Sequence, residues 1–285
     1  MDGAHLKESK RWMLNLSEKD RISIILSHFW VDYPQADRVS KIINNMIEAD
    51  GRVHAPCLLI AGDSGSGKSS IAKHIEDISH DWRFKIAYMS CAETCAGMKF
   101  KESVVAALGA PSPSGRSSRR EIPSELEKFI KLSKTKALII DEFHDAMLVH
   151  KTEQQKNLSF LKGLSGRPFY LNIIALGTPI AVNALSIDPQ LFRRFDFINL
   201  MSWEEDEVFR SFLASIEENL PLKKPSGLYK KEVVKYLLSE SKGNMSSVLD
   251  ILRFGAIQAV TSGEESITID LLKAGVSLRW MYKVG

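Results

Sequence analysis

Apolar positions along this chain change their spacing twice, and the changes divide it into three stretches. In the first, Ile22, Ile25, Leu26 and Phe29 recur at helical spacing behind Ser17, which with Asp20 three residues on forms an N-terminal cap signature. Pro34 opens a second helical pattern carrying Val39, Ile42, Ile43, Met46 and Ile47, ended by Gly51. The helical period then gives way to short continuous apolar runs at Cys57–Ala61, Phe84–Met89, Ala137–Ile140, Leu171–Leu176 and Phe195–Leu200, separated by helix-like sequence. Strands buried on both faces have this composition, so the pattern predicts a parallel sheet with crossover helices. Beyond Leu200 the strand signal stops. Trp203–Leu220, Leu228–Ser241, Met245–Val260 and Thr268–Val276 read as helices, punctuated by Pro221, Pro225, Gly243 and Gly263. The expected organisation is an N-terminal helical extension over 1–51, an α/β core over 52–201 and a small all-helical C-terminal domain over 202–285.

Composition changes this picture little. The chain has 285 residues, 44% hydrophobic and 26% charged, enough for one large domain or two modest ones. No apolar run approaches the roughly 20 residues of a membrane helix. Met1–Lys7 has no apolar segment beside it, which speaks against a secretory signal. The three cysteines, Cys57, Cys91 and Cys95, fit a reducing cytoplasm better than a disulfide scaffold. Cys91 and Cys95 lack a histidine or further thiol to complete a metal site and are expected as small buried or half-buried residues.

Chemistry enters at Gly62-Asp63-Ser64-Gly65-Ser66-Gly67-Lys68-Ser69, which matches G-x-x-x-x-G-K-[ST] between a strand-like run and a helix-like one. Gly65 and Gly67 let the backbone curl so that its N–H groups face phosphate oxygens, and the helix starting near Gly67 aims its positive end at the same anion. Lys68 adds a full charge near the β- and γ-phosphates, and Ser69, followed by Ser70, supplies a hydroxyl to Mg²⁺. The run Ala137–Ile140 ends in Asp141-Glu142. Asp141 is thereby placed at the carboxyl edge of the sheet, where it holds a Mg²⁺-bound water, and Glu142 is the candidate base for an attacking water. The sequence therefore predicts an ATPase that uses ATP and Mg²⁺.

Two further features narrow the class. Leu171–Leu176 leads to Gly177-Thr178, either a polar contact for the γ-phosphate or the water, or simply a threonine opening a turn before Pro179. Arg193 and Arg194 stand just before the last strand, where an arginine reaches a neighbouring molecule's phosphates more easily than its own. Of the two, Arg194 is favoured as such a finger; the alternative is a plain surface pair.

In this order the phosphate loop, Asp141-Glu142, Thr178 and Arg194, followed by a helical lid, resemble an AAA+ ATPase. The element Phe29-Trp30-Val31-Asp32-Tyr33-Pro34-Gln35-Ala36 resembles the W-[IV]-x-Y-P-x-A signature of the TniB/TnsC family of transposition helper ATPases. So do Ile140–His144, Leu176-Gly177-Thr178 and Gln190–Phe195, and the likeness runs from about Leu16 to Val276. It implies a protein that assembles on double-stranded DNA as a ring or helical filament in ATP and links a TniQ-like targeting factor to a DDE-type transposase. It also implies that Trp30, Tyr33 and Pro34 lie near the adenine, although ordinary helix packing explains Trp30 and Tyr33 equally well. The lid element Gly243-Asn244-Met245-Ser246-Ser247 lacks the arginine many AAA+ proteins carry there, and the next is Arg253, so slow hydrolysis is expected.

For DNA, the segment from Lys99 to Arg120 holds Lys99, Lys101, Arg116, Arg119 and Arg120 against Glu102 alone, a local charge of +4. Together with Ser117 these residues suit phosphate oxygens, and the resemblance favours this region; a solvated charged loop is the plainer account. Neither a zinc finger nor a recognition helix is evident, so base-specific reading is not expected. An AAA+ ATPase acting on protein partners and a replication initiator or loader are the competing expectations.

Overall fold

The computed structural model describes residues 3–49, 52–92, 99–110 and 125–281. A 3-10 helix (Glu8–Asn15) precedes α1 (Glu18–Leu26) and α2 (Pro34–Glu48). Ser17 caps α1 by accepting the Asp20 N–H. Then follow β1 (Cys57–Ala61), α3 (Lys68–Ile78), β2 (Lys85–Ser90), α4 (Phe100–Ala107), α5 (Leu126–Ser133), β3 (Thr135–Asp141), α6 (Phe143–Met147), α7 (Lys151–Ser165), β4 (Asn172–Gly177), α8 (Ile180–Leu185), α9 (Pro189–Phe192) and β5 (Phe195–Asn199). The chain continues with α10 (Glu207–Glu217), α11 (Lys231–Ser241), α12 (Met245–Thr261) and α13 (Ile269–Ser277). These elements cluster into two compact units, one of Gln35–Met201 and one of Met1–Pro34 with Ser202–Gly285.

In the first unit the five strands form one wholly parallel sheet in the order β2-β3-β4-β1-β5. Each apolar run of the sequence lies on one of these strands. β1 and β4 are buried along their whole length, and Ala137, Leu138, Ile139 and Ile140 of β3 are wholly buried. Burying each leucine or isoleucine among them contributes about 1.5–3 kcal/mol before entropy is charged against it. The exception is β5, where Asp196, Phe197 and Asn199 are exposed. It pairs with β1 on one side only, so it has an edge strand's composition rather than a central one's.

The second unit joins the beginning and end of the chain. Tyr33 is buried against Trp203 and Phe212, with ring centres 5.6 Å and 5.7 Å away. Trp203 in turn stacks on Phe212 at 4.8 Å and donates its indole N–H to Met245 Sδ. Glu217, buried at the end of α10, accepts the N–H groups of Ser226, Gly227 and Leu228 at 2.7, 3.0 and 2.8 Å, fixing the turn that leads to α11. No described helix is long and apolar enough to cross a membrane.

Candidate nucleotide site

The parallel register brings the candidate residues to one edge of the sheet. Ala61 of β1 lies beside Gly177 of β4, Ile140 of β3 beside Ala175, and Ser90 of β2 beside Asp141. The Gly62 N–H then donates to Gly177 O at 3.2 Å, tying the start of the phosphate loop to the strand that carries Thr178. The carboxyl ends of β1, β3 and β4 thus present the loop, Asp141-Glu142 and Thr178 side by side, the position where open parallel sheets bind ligands.

Gly65 and Gly67 adopt left-handed backbone, with φ of 77° and 93°. That bend closes the loop and starts α3 at Lys68, leaving its first N–H groups without helical partners, as an anion site requires. A Cβ at Gly62 would stand 2.5 Å from Ser66 Oγ and 3.2 Å from Leu200 Cβ, so a larger residue there would require the Ser66 side chain to move. Ser66 Oγ is itself buried without a hydrogen-bond partner. An orphaned hydroxyl, a curled backbone and a helix N-terminus together fit a polyphosphate.

Lys68 is buried and donates to Gly62 O at 2.9 Å and Asp63 O at 2.8 Å. Burial pushes its pKa below the ordinary lysine value, and Glu142, Asp141 and Asp63 pull in the opposite direction. Lys68 thus lies within electrostatic reach of all three carboxylates. The Asp141 carboxylate is buried and oriented from two sides: the Glu142 N–H donates to Oδ1 at 2.8 Å and the Tyr88 hydroxyl to Oδ2 at 3.4 Å. Glu142 has a φ of 49°, a left-handed conformation unusual for a side chain of its size. His144 Nδ1 stands 3.2 Å from Glu142 Oε2. That nitrogen is nonetheless buried with no aligned hydrogen bond, so the contact is a close approach rather than a formed hydrogen bond. A Cβ on Gly177 would sit 3.6 Å from the same nitrogen, so His144 fills the space between Glu142 and the end of β4. Thr178 Oγ1 is likewise buried and unpartnered.

The two arginines differ. Arg194 is half-buried, and its Nη1 donates to Lys162 O at 2.9 Å and Ser165 Oγ at 2.8 Å, both at the end of α7. Arg193 is exposed. Of the lysines expected near DNA, Lys99 is exposed ahead of α4, whereas Lys101 is half-buried with its ammonium 5.7 Å from the centre of the Phe160 ring. Arg116, Ser117, Arg119 and Arg120 lie outside the described residues, as does Cys95. Burial raises the thiol of Cys57 to about 11 and that of Cys91 to about 12, so neither is a thiolate at neutral pH.

Trp30, Tyr33 and Pro34 belong to the second unit. Trp30 donates its indole N–H to Asp32 at 2.7 Å, and Tyr33 packs in the aromatic cluster described above. Arg253 pairs with Asp250 within α12, at 3.6 Å. Sequence reasoning missed Tyr88, His144 and Trp203. His144 at least sat inside a quoted motif, but nothing in the interior of a strand marks Tyr88.

The family described as "Bacterial TniB protein" matches residues 21–205, a span that includes the phosphate loop, Asp141-Glu142, Thr178 and both arginines. The chain belongs to the TniB family. No curated protein matches it. Among solved structures it is similar to the Aeropyrum pernix ORC1 protein in complex with DNA, with a TM-score of 0.63 and 13% identity over 90% of this chain and 68% of that one. It is also similar to Cdc6p of Pyrobaculum aerophilum, with a TM-score of 0.63 and 16% identity over 90% and 70% of the two chains. A Walker-type ATPase of Pyrococcus abyssi matches with a TM-score of 0.59 and 13% identity over 87% and 72%. At such identities the likeness establishes the fold, that of an AAA+ P-loop ATPase with a helical C-terminal region. Fold and family together make this TniB protein a nucleotide-binding ATPase.

Proposed function

We propose that this TniB protein is a cytoplasmic, ATP-dependent regulator of DNA transposition that oligomerises on double-stranded DNA and connects a TniQ-like targeting factor to a DDE-type transposase. The observation that carries the reading is the family match over a span that contains every part of the nucleotide site. The DNA-bound ORC1 protein among its structural neighbours adds support for a DNA surface on this fold.

In this reading the loop from Gly62 to Ser70 takes the phosphates of ATP, with Lys68 leaving its two carbonyl acceptors for the β- and γ-oxygens. Ser69 directly, and Asp141 through water, would hold Mg²⁺, which neutralises charge on the phosphates when bound. Glu142 takes the proton of the attacking water, and Thr178 holds that water or the γ-phosphate. Trp30, Tyr33 and Pro34 serve the adenine. Arg193, exposed and with no side-chain partner among the described residues, reaches into a neighbouring copy's site, while Arg194 braces the segment that presents it. Lys99, Lys101, Arg116, Ser117, Arg119 and Arg120 contact DNA phosphates without reading bases. Hydrolysis, slow without a lid arginine in Gly243–Ser247, sets the lifetime of the assembly.

Co-sedimentation with duplex DNA tests this. Parental protein is expected to pellet with DNA in a non-hydrolysable ATP analogue and not in ADP. Glu142→Gln is expected to pellet equally well in ATP itself, with hydrolysis at least about 100-fold slower. No DNA binding with any nucleotide would return the protein to the class that acts on protein partners, and parental hydrolysis by Glu142→Gln would place the base elsewhere.

A further inference from the structure

His144, the second residue of α6, stands beside the candidate base and has no role in the mechanism above. Residues two apart on a helix point to different sides and do not ordinarily meet. Glu142 lies just outside α6 in left-handed backbone, with φ of 49°, and this breaks the helical spacing. Its Oε2 is thereby brought to 3.2 Å from His144 Nδ1.

The two acids at the end of β3 are held very differently. The Asp141 carboxylate accepts from the Glu142 N–H and the Tyr88 hydroxyl, whereas the Glu142 carboxylate accepts no hydrogen bond among the described residues. A glutamate without such a restraint samples several rotamers, and each puts the base in a different place. The imidazole of His144 is set against the end of β4, where a Cβ on Gly177 would stand 3.6 Å from Nδ1. Nδ1 itself is buried and has no hydrogen-bond partner. Its distance to Glu142 Oε2 suits a hydrogen bond and only the alignment is missing, which a turn of the carboxylate about its broad last torsion supplies. The other ring nitrogen is not so placed: Nε2 is 3.6 Å from Asp145 Oδ1, beyond hydrogen-bond distance.

We propose that His144 is the positioning residue for Glu142 in ATP hydrolysis: its Nδ1–H donates to Oε2 and leaves Oε1 facing the attacking water. The inference rests on the reading of Glu142 as the base. In the step, the water's proton passes to Oε1, its oxygen bonds to the γ-phosphorus, and the bond from that phosphorus to the departing ADP breaks. The imidazole keeps its proton throughout, so His144 acts on the position of the base and not on the proton inventory. Position matters steeply here, because a displacement of about 1 Å at a reacting group costs on the order of 100-fold in rate.

Steady-state ATPase kinetics of the full chain with Mg²⁺ test this, on His144→Leu, His144→Asn and His144→Gln. Leucine fills the space without a donor. The amide nitrogen of asparagine hangs from Cγ as Nδ1 does, whereas that of glutamine lies one bond further out, as Nε2 does. His144→Leu is expected to lower kcat by at least about tenfold with KM for ATP unchanged. His144→Asn is expected to restore kcat to within about threefold of the parent, and His144→Gln is not. Added to Glu142→Gln, His144→Leu is expected to slow the residual turnover no further, because it acts through the side chain already replaced. Rescue by glutamine as good as by asparagine, or a full further loss on top of Glu142→Gln, overturns the proposal and leaves His144 a packing residue. Parental kcat in His144→Leu, with Glu142→Gln inactive, overturns the role of His144 alone. Parental turnover by Glu142→Gln overturns the assignment of the base and this inference with it.

Discussion

Adjacent arginines illustrate how little residue identity settles about role. From the sequence Arg194 is favoured as the residue that completes a neighbouring copy's site, yet its Nη1 is committed to Lys162 O and Ser165 Oγ at the end of its own α7. A guanidinium so engaged must give up two hydrogen bonds to reach across an interface, whereas the exposed Arg193 gives up none. Arg194→Ala is therefore expected to lower the unfolding free energy by about 1–3 kcal/mol, because it removes both hydrogen bonds that tie this segment to the end of α7. Arg193→Ala is expected to leave monomer stability and ATP affinity unchanged while abolishing ATP-dependent assembly and turnover. Denaturant titration and electron micrographs of the two variants distinguish them; assembly-competent Arg193→Ala would return the role to Arg194 or to neither.

Elements were legible where the information is local. All five strands follow from short apolar runs, and the phosphate loop from eight consecutive residues, because a parallel strand buried on both faces and a glycine-bent anion cradle each impose composition on a contiguous stretch. The strand order, the exposure of β5 and the Tyr88 bond to Asp141 were not legible, since each depends on which distant segment packs alongside. The lid helices show both cases. Their spans follow from periodicity, but the turn before α12 depends on Gly243, which the sequence marks only as punctuation. There φ is +75°, and a Cβ would sit 2.3 Å from Trp203 O, while Trp203 donates its N–H to Gly243 O at 2.8 Å. Gly243→Ala must break that backbone pairing as well as adopt a left-handed conformation. The expected loss is about 2 kcal/mol or more, read from the denaturation midpoint followed by tryptophan fluorescence. An unchanged midpoint would mean that the Trp203 turn has freedom the packing of Trp203 against Phe212 does not suggest.

At the scale of the whole chain, the second unit is built from two segments far apart in sequence, and one ion pair joins them. Arg21 on α1 is buried and donates Nε and Nη2 to Pro221 O at 2.9 Å and 2.7 Å. The same guanidinium grips Glu265 with both terminal nitrogens, while Lys223 donates its N–H to that carboxylate at 3.3 Å and brings its ammonium within 3.6 Å. Burial alone would raise the Glu265 pKa, but the hydrogen bonds and charge of Arg21, aided by Lys223, outweigh it and hold the value below the ordinary 4.5. The sign of the pH dependence follows. A depressed carboxyl pKa adds stability that is complete above the unfolded value near 4.5 and is lost as pH falls through the lower folded one. Glu265→Gln leaves Arg21 buried beside a neutral amide, so it is expected to cost about 3 kcal/mol at pH 7. It should also flatten the fall in stability below pH 4.5, because the titrating group is gone. Urea midpoints of parent and variant, measured from neutral pH downward, are therefore expected to converge as acid protonates Glu265 in the parent. Curves that stay parallel through that range would mean that Glu265 is not the carboxylate that ties the two ends of the chain together against acid.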